Sequence, residues 1–317
     1  MKNRIFLFKP LLISLFLSAQ IFAGQKTFNV TSGSWGTAGS WYPTGVPAAT
    51  DTVTISNGST CSANITTTVA ALIFNPGAAS SINFTNNRTL TITGSVRIKD
   101  SLTVGGSNSG SLTINGNLII DSDGMLIKSN GNITVSGTTL ISGTLIINST
   151  GGTKTFIGLV NITNTGVWNS TVNEAFALRG GLTNYGTFTS GMGTYTFNTN
   201  SQSLNGNPIF FAGAVTVANN ITVTNNTIIT VAGNLTGGGT TANFTNSAGN
   251  TLNVNGSVMS TGVLTATAAG NTVNYYRAGN QTVKGTAYFN LTLSGSGTKT
   301  TTGVTVNGKL SRQGTAT

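Results

Sequence analysis

Histidine is missing from the 317 residues, and cysteine occurs once, at Cys61. Without histidine the chain lacks the commonest general base, the usual zinc ligand and every Ser-His-Asp arrangement. A single thiol cannot close a disulfide within the chain, so stability rests on backbone pairing and core burial, and Cys61 reads as a small core residue. Charged residues make up only 6%, and five side chains are acidic: Asp51, Asp100, Asp121, Asp123 and Glu174. β-Helix polysaccharide lyases and hydrolases need paired or calcium-bound carboxylates, and little is present to build them. The one close pair, Asp121-Ser-Asp123-Gly124, starts like a calcium loop but lacks the later ligands. It reads first as a solvated turn, with calcium as the weaker alternative. We therefore expect no enzyme and no cofactor.

Long apolar runs are also scarce. The stretch Leu11 to Phe22 follows Lys2, Arg4 and Lys9 and precedes Ala23, so residues 1–24 read as a secretory signal peptide. No other segment is continuously apolar, and no transmembrane segment is expected in the mature chain. The formal charge of +10 falls to +7 once those three basic residues are removed, leaving 12 Lys+Arg against 5 Asp+Glu. The remaining cations are scattered, which argues against nucleic acid as a partner. Polysaccharide, glycans or other cells fit an exported polar chain better.

What the chain does contain is glycine, at 42 residues, and a recurring pattern of apolar-x-apolar-x-Gly-x-apolar. It reads Leu90-Thr-Ile92-Thr-Gly94-Ser-Val96 and returns around Gly116, Gly180, Gly213, Gly233, Gly256 and Gly308, with imperfect copies at Gly137 and Gly158. Between Gly94 and Gly180 the steps are 21 or 22 residues. Within one period lie three short apolar clusters, each alternating in and out, separated by glycine and asparagine corners. The pattern predicts an all-β fold: a parallel β-solenoid, a right-handed three-sided β-helix of about 21–23 residues per coil. Residues 25–60 would form its N-terminal cap and 61–317 the repeats. The steps of 33 from Gly180 to Gly213 and 52 from Gly256 to Gly308 read as a coil with a loop insertion and as two coils.

Several side chains need placing. Trp35 and Trp41 could stack on sugar rings as ligand-binding residues, although plugging the first coil is the favoured reading. Phe197, Phe210, Phe211, Tyr276 and Phe289 are expected inside, and Tyr185, Tyr195 and Tyr275 are candidates for the surface. Lys99 and Asp121 stand one coil apart and should form an exposed ion pair. Inward asparagines at corners should stack as amide ladders. Outward threonines vary too much between copies to suggest a uniform ice-binding array.

The segment Ser34-Trp35, Trp41-Tyr-Pro-Thr-Gly45-Val46-Pro47 and Asp51-Thr-Val53-Thr-Ile55 resembles a motif near the start of large repetitive surface proteins of Gram-negative bacteria. The stretches from Gly158 to Trp168, Gly279 to Gly285 and Asn290 to Lys299 are similar to repeats in those proteins. The resemblance implies a cell-surface adhesin of the kind exported by the type IX route and held by a C-terminal sorting domain. No such domain is recognisable here, and the chain stops just after a repeat begins, so the N-terminal part of a longer product is expected. The Trp, Gly-Val-Pro and Asp pattern is also loosely similar to the eight-glycine extracellular domain. The resulting expectation is a secreted or cell-surface structural or adhesive repeat protein. A carbohydrate-binding or polysaccharide-degrading β-helix and an ice-binding solenoid are the alternatives.

Overall fold

A computed structural model describes residues 24–74, 77–107, 110–170 and 172–317; residues 1–23 of the stretch 1–24 read as a signal peptide lie outside the described residues. The described chain is a stack of parallel coils. One coil shows the plan: Val96–Ile98 lies on face 1, Ser101–Gly106 on face 2 and Ser111–Ile114 on face 3. Each strand hydrogen-bonds to the equivalent strand of the coil before and after it. Face 1 grows into a 13-stranded sheet, face 2 begins with 8 strands and face 3 has 9. Among the described residues the one helical turn is Ala38–Ser40.

Alternation fixes which side chains enter the core. Leu90 and Ile92 are buried and Thr89 and Thr91 are half-buried, and the same four-residue rhythm recurs at Ser111–Ile114 and Asn132–Val135. Stacking in register places Leu90, Leu112 and Ile133 in one interior column. Each such side chain, fully withdrawn from water, contributes about 1.5–3 kcal/mol. The first coil is closed by Gln25–Phe28, which pairs parallel with Thr52–Ile55 and antiparallel with Trp41–Tyr42. That antiparallel pairing covers the first edge of face 1.

Glycine marks the corners because the coils approach too closely for a side chain. A Cβ on Gly116 would lie 2.4 Å from the carbonyl of Gly94, and one on Gly158 would lie 2.3 Å from the oxygen of Gly137. Gly94, Gly116, Gly137, Gly158 and Gly180 all sit where face 3 passes to face 1.

The later copies of the pattern sit elsewhere, which corrects the reading of the irregular steps. Gly213 follows Ile209–Phe211 on face 2 and precedes Val215–Val217 on face 3. It stacks under Gly233 and Gly256 at the corner from face 2 to face 3. No loop is inserted between Gly180 and Gly213: Phe176 pairs with Tyr195 and Tyr195 with Val215, steps of 19 and 20 residues. The pattern has moved to another corner. Gly308 has moved again, between Thr305–Val306 on face 1 and Leu310–Arg312 on face 2. Beyond the first coil, where Gln25 pairs with Thr52, coil lengths also range more widely than 21–23, from 18 between Val273 and Leu291 to 24 between Leu72 and Val96. Corner loops absorb the difference while the strands keep register.

Face 2 changes character where the pattern moves. Its ladder ends at Thr187–Thr189, and a new sheet of six strands begins at Ile209–Phe211. Phe188 and Phe211 bridge the break with ring centroids 5.7 Å apart.

Candidate functional site

The two tryptophans singled out from the sequence lie in the core of the cap. Trp35 is 0% exposed and Trp41 2%, their rings meet edge to face at 4.9 Å, and Phe28 packs on Trp41 at 5.1 Å. Trp41 Nε1 donates to the Trp35 carbonyl at 2.8 Å. No sugar ring can stack on either indole while the cap is closed. Asp51 braces the same region, accepting from Gly24 N at 3.0 Å and Ala48 N at 2.8 Å.

Asp121 and Asp123 lie on the surface beside Arg97 and Lys99. The cation that reaches Asp121 is Arg97, at 2.8 Å from Nε to Oδ2, rather than Lys99. Arg97 faces outward opposite Ile119, and its long side chain crosses diagonally to the residue two places on. Its guanidinium is pushed up by the hydrogen bond and charge of Asp121. Asp100 is held below the usual carboxylate range by the backbone N–H groups of Gly77 and Ser101. Among the described residues no three His, Cys, Asp or Glu side chains converge as a metal site would require. No helix there is long and apolar enough to cross a membrane.

The sequence reading missed two interior lysines. Lys128 is 0% exposed and Lys154 1%. Lys128 donates to the carbonyls of Ser129 and Asn130, and Lys154 donates to Gly151 O at 2.5 Å. Burial, followed by the charge of Lys154, pushes Lys128 down to about 7. Burial lowers Lys154 too, while Glu174 opposes that shift. Glu174 is buried and takes a hydrogen bond from Ser170 at 2.7 Å, leaving its other oxygen without a partner. Beside it run Trp168, Phe176 and Tyr195, with successive centroids 5.2 and 4.7 Å apart. The signal was the phase: Lys128 alternates with Leu126 and Lys154 with Phe156, both buried. The two ammonium groups support the corners from within by donating to carbonyls there.

Amides do the same work further along. Asn225 Nδ2 donates to Asn246 Oδ1 at 2.8 Å, and Asn246 Nδ2 donates to Thr272 O at 3.0 Å. This is the stacked amide ladder expected at the corners.

Three aromatics thought to be interior face outward instead. Phe210 is 50% exposed and its neighbour Phe211 is buried. Tyr276 and Phe289 are half-buried, whereas Tyr195, Tyr275 and Tyr288 lie inside. Where two aromatics adjoin, strand alternation admits only one. Phe210, Thr230, Asn253, Asn274 and Tyr276 line an open hollow of about 370 Å³ on face 2. Compared with known protein families, with characterised proteins and with solved structures, the chain shows no match.

Proposed function

We propose that this chain is an exported structural repeat protein of the cell surface that makes adhesive contact through its outward polar faces and catalyses no reaction. The observation that carries the reading is the coil-on-coil parallel stacking from Thr52–Ile55 to Leu310–Arg312, which runs past the one break in the face 2 ladder. It turns each outward hydroxyl or amide into a row along the rod, and weak contacts repeated along a row add to useful avidity. The signal-like N-terminus and the resemblance to surface proteins support export and surface placement. The test is binding of the purified chain to bacterial cells and to a broad glycan panel, with and without calcium. Saturable binding to cells or glycans supports adhesion. A folded chain that binds neither is a spacer.

A second reading, ice binding, is favoured by one row. On face 3, Thr68, Thr91, Thr113, Thr134 and Thr155 stand in register, then Ala177, then Thr196, Thr216 and Thr236. Equivalent outward positions on face 1 carry Ile73, Arg97, Ile119, Leu140 and Asn161, so strand propensity alone does not explain the threonines. The flanking row is mixed, with Thr89, Ser111, Asn132 and Thr153. Rungs ~4.8 Å apart present these hydroxyls at a spacing that can order water. Thermal hysteresis of the purified chain decides this reading: a freezing-point gap lost on Thr134→Tyr supports it, and none at high protein concentration removes it.

A further inference from the structure

Between Gly180 and Tyr276 the chain contains no Asp, Glu, Lys or Arg, and histidine is absent throughout. One outward row of this uncharged segment combines aromatic rings with aligned amides. On face 2, Phe210, Thr230, Asn253 and Asn274 occupy successive rungs of one outward row. Tyr276 follows two residues after Asn274. Phe210 and Tyr276 thus flank a floor of hydroxyl and amide groups, with three rung spacings, or ~14 Å, between the ends along the rod.

The floor is preorganised. Asn274 Nδ2 donates to Asn253 Oδ1 at 3.1 Å, and Asn253 Nδ2 donates to Thr230 Oγ1 at 3.2 Å. Ser294 Oγ donates to Asn274 Oδ1 at 2.7 Å. A primary amide has two N–H donors and two acceptor lone pairs. The ladder uses one N–H of each asparagine, so a second N–H on each, and the Thr230 hydroxyl proton, remain for a ligand. Beside the row lies a trough of about 630 Å³ on the corner from face 2 to face 3. It is lined by Ala212, Ala214 and Ala232, which flank the stacked Gly213 and Gly233, and by Asn234 and Asn255 further along the same ladder. At the equivalent glycine ladder of the first half the flanking positions carry larger groups, such as Thr93, Asn115, Asn117 and Leu159.

We propose that this strip binds a neutral glycan chain lying along the solenoid axis, a proposal that rests on the adhesive reading above. Aromatic faces take the apolar faces of sugar rings, and the aligned amides and hydroxyl take their hydroxyl groups. One rung spacing is close to the length of one sugar unit in an extended chain, so successive units meet successive rungs. Charge complementarity selects the class. A polyuronate would find no cation on the floor, where a desolvated carboxylate would lack a partner. Arg277, at the end of the trough, is the nearest charge among its lining residues. An isolated exposed aromatic needs no explanation, but two that flank an uncharged hydrogen-bonding ladder make a recognisable sugar subsite.

The test uses the purified chain with neutral β-linked glucan oligosaccharides of four or more units and, in parallel, polygalacturonate. Phe210→Ala and Tyr276→Ala are compared with wild type, with near-ultraviolet circular dichroism to confirm folding. Both side chains point outward, so the fold should persist. The expected result is saturable binding of the neutral glycan, weakened about tenfold by either substitution and abolished by both, with little binding of polygalacturonate. Equal binding by wild type and double variant overturns the site while leaving adhesion standing. Preference for polygalacturonate overturns the ligand class. Failure of the folded chain to bind neutral glycans overturns the proposal, and adhesion falls with it only if cells are not bound either. If either variant is misfolded, Phe210→Leu and Tyr276→Leu keep apolar bulk, remove the ring, and should give the same loss.

Discussion

The half of the rod built on Gly94 to Gly180 and the half built on Gly213 to Gly256 share a seven-residue pattern, yet use it at different corners. In the first, glycine lets face 3 turn into face 1; in the second, it lets face 2 turn into face 3. Their interiors differ as well. The first half buries Lys128, Lys154 and Glu174, whereas the second buries Asn225, Asn246 and Asn271 and carries no charge up to Arg277. Both solutions satisfy corner carbonyls that would otherwise be buried without donors. The pattern therefore encodes a corner, whichever faces meet there, and the interior accepts either ammonium or amide so long as its hydrogen bonds are made.

If the two corners are equivalent, Gly116→Ala and Gly233→Ala should damage both halves alike. The new Cβ would meet backbone at 2.4 Å in one and 2.6 Å in the other. We expect each to cost about 3 kcal/mol in urea unfolding. Gly39→Ala, where a Cβ meets nothing within 4 Å, should stay within about 0.5 kcal/mol. A silent Gly233→Ala would break the equivalence.

The interiors can be separated next. Asn246→Leu should cost about 2 kcal/mol, because it removes the acceptor of one Asn225 N–H and the donor to the Thr272 carbonyl. Unchanged unfolding would show that the ladder does not hold the second half together.

The lysines should make only the first half sensitive to pH. Lys128 is lowered from 10.5 to about 7, so above pH 7 the unfolded chain holds a proton that the folded chain releases. Stability then rises with pH. The rise should end near pH 9, because burial raises Cys61 from 9.0 to about 12 and the unfolded thiol deprotonates first. We expect the melting temperature to rise by several degrees between pH 7 and pH 9 and the rise to shrink in Lys128→Met. A flat profile would show that Lys128 keeps its ordinary proton affinity.

Least affected should be the surface pair. Asp121→Asn removes an exposed contact with Arg97 and should leave melting nearly unchanged; a shift above about ten degrees would contradict its exposed position.

The solenoid was legible because strand alternation and corner glycines are local signals, and the strict 21-to-22-residue spacing around Gly94 to Gly180 exposes the stacking. Faces were harder to read. The pattern around Gly213 looks the same whether the corner has moved or a loop has been inserted, and only pairing between coils separates the two. Side-chain size points both Phe210 and Phe211 inward, whereas strand phase admits only Phe211. The charge of Lys128 and Lys154 points them outward, whereas strand phase places both inside. The outward rows on faces 2 and 3 depend on register across coils of 18 to 24 residues, which a fixed period cannot follow.

The migrating corner is tested most directly by cysteine cross-linking in a Cys61→Ala background. In the structure Thr216 pairs with Thr196, whereas a loop insertion aligning Gly180 with Gly213 would pair it with Thr183. Rung neighbours lie ~4.8 Å apart, within disulfide reach. The account predicts that Thr196→Cys with Thr216→Cys forms an intramolecular disulfide on mild oxidation, seen by mass spectrometry, and that Thr183→Cys with Thr216→Cys does not. The reverse result would contradict it.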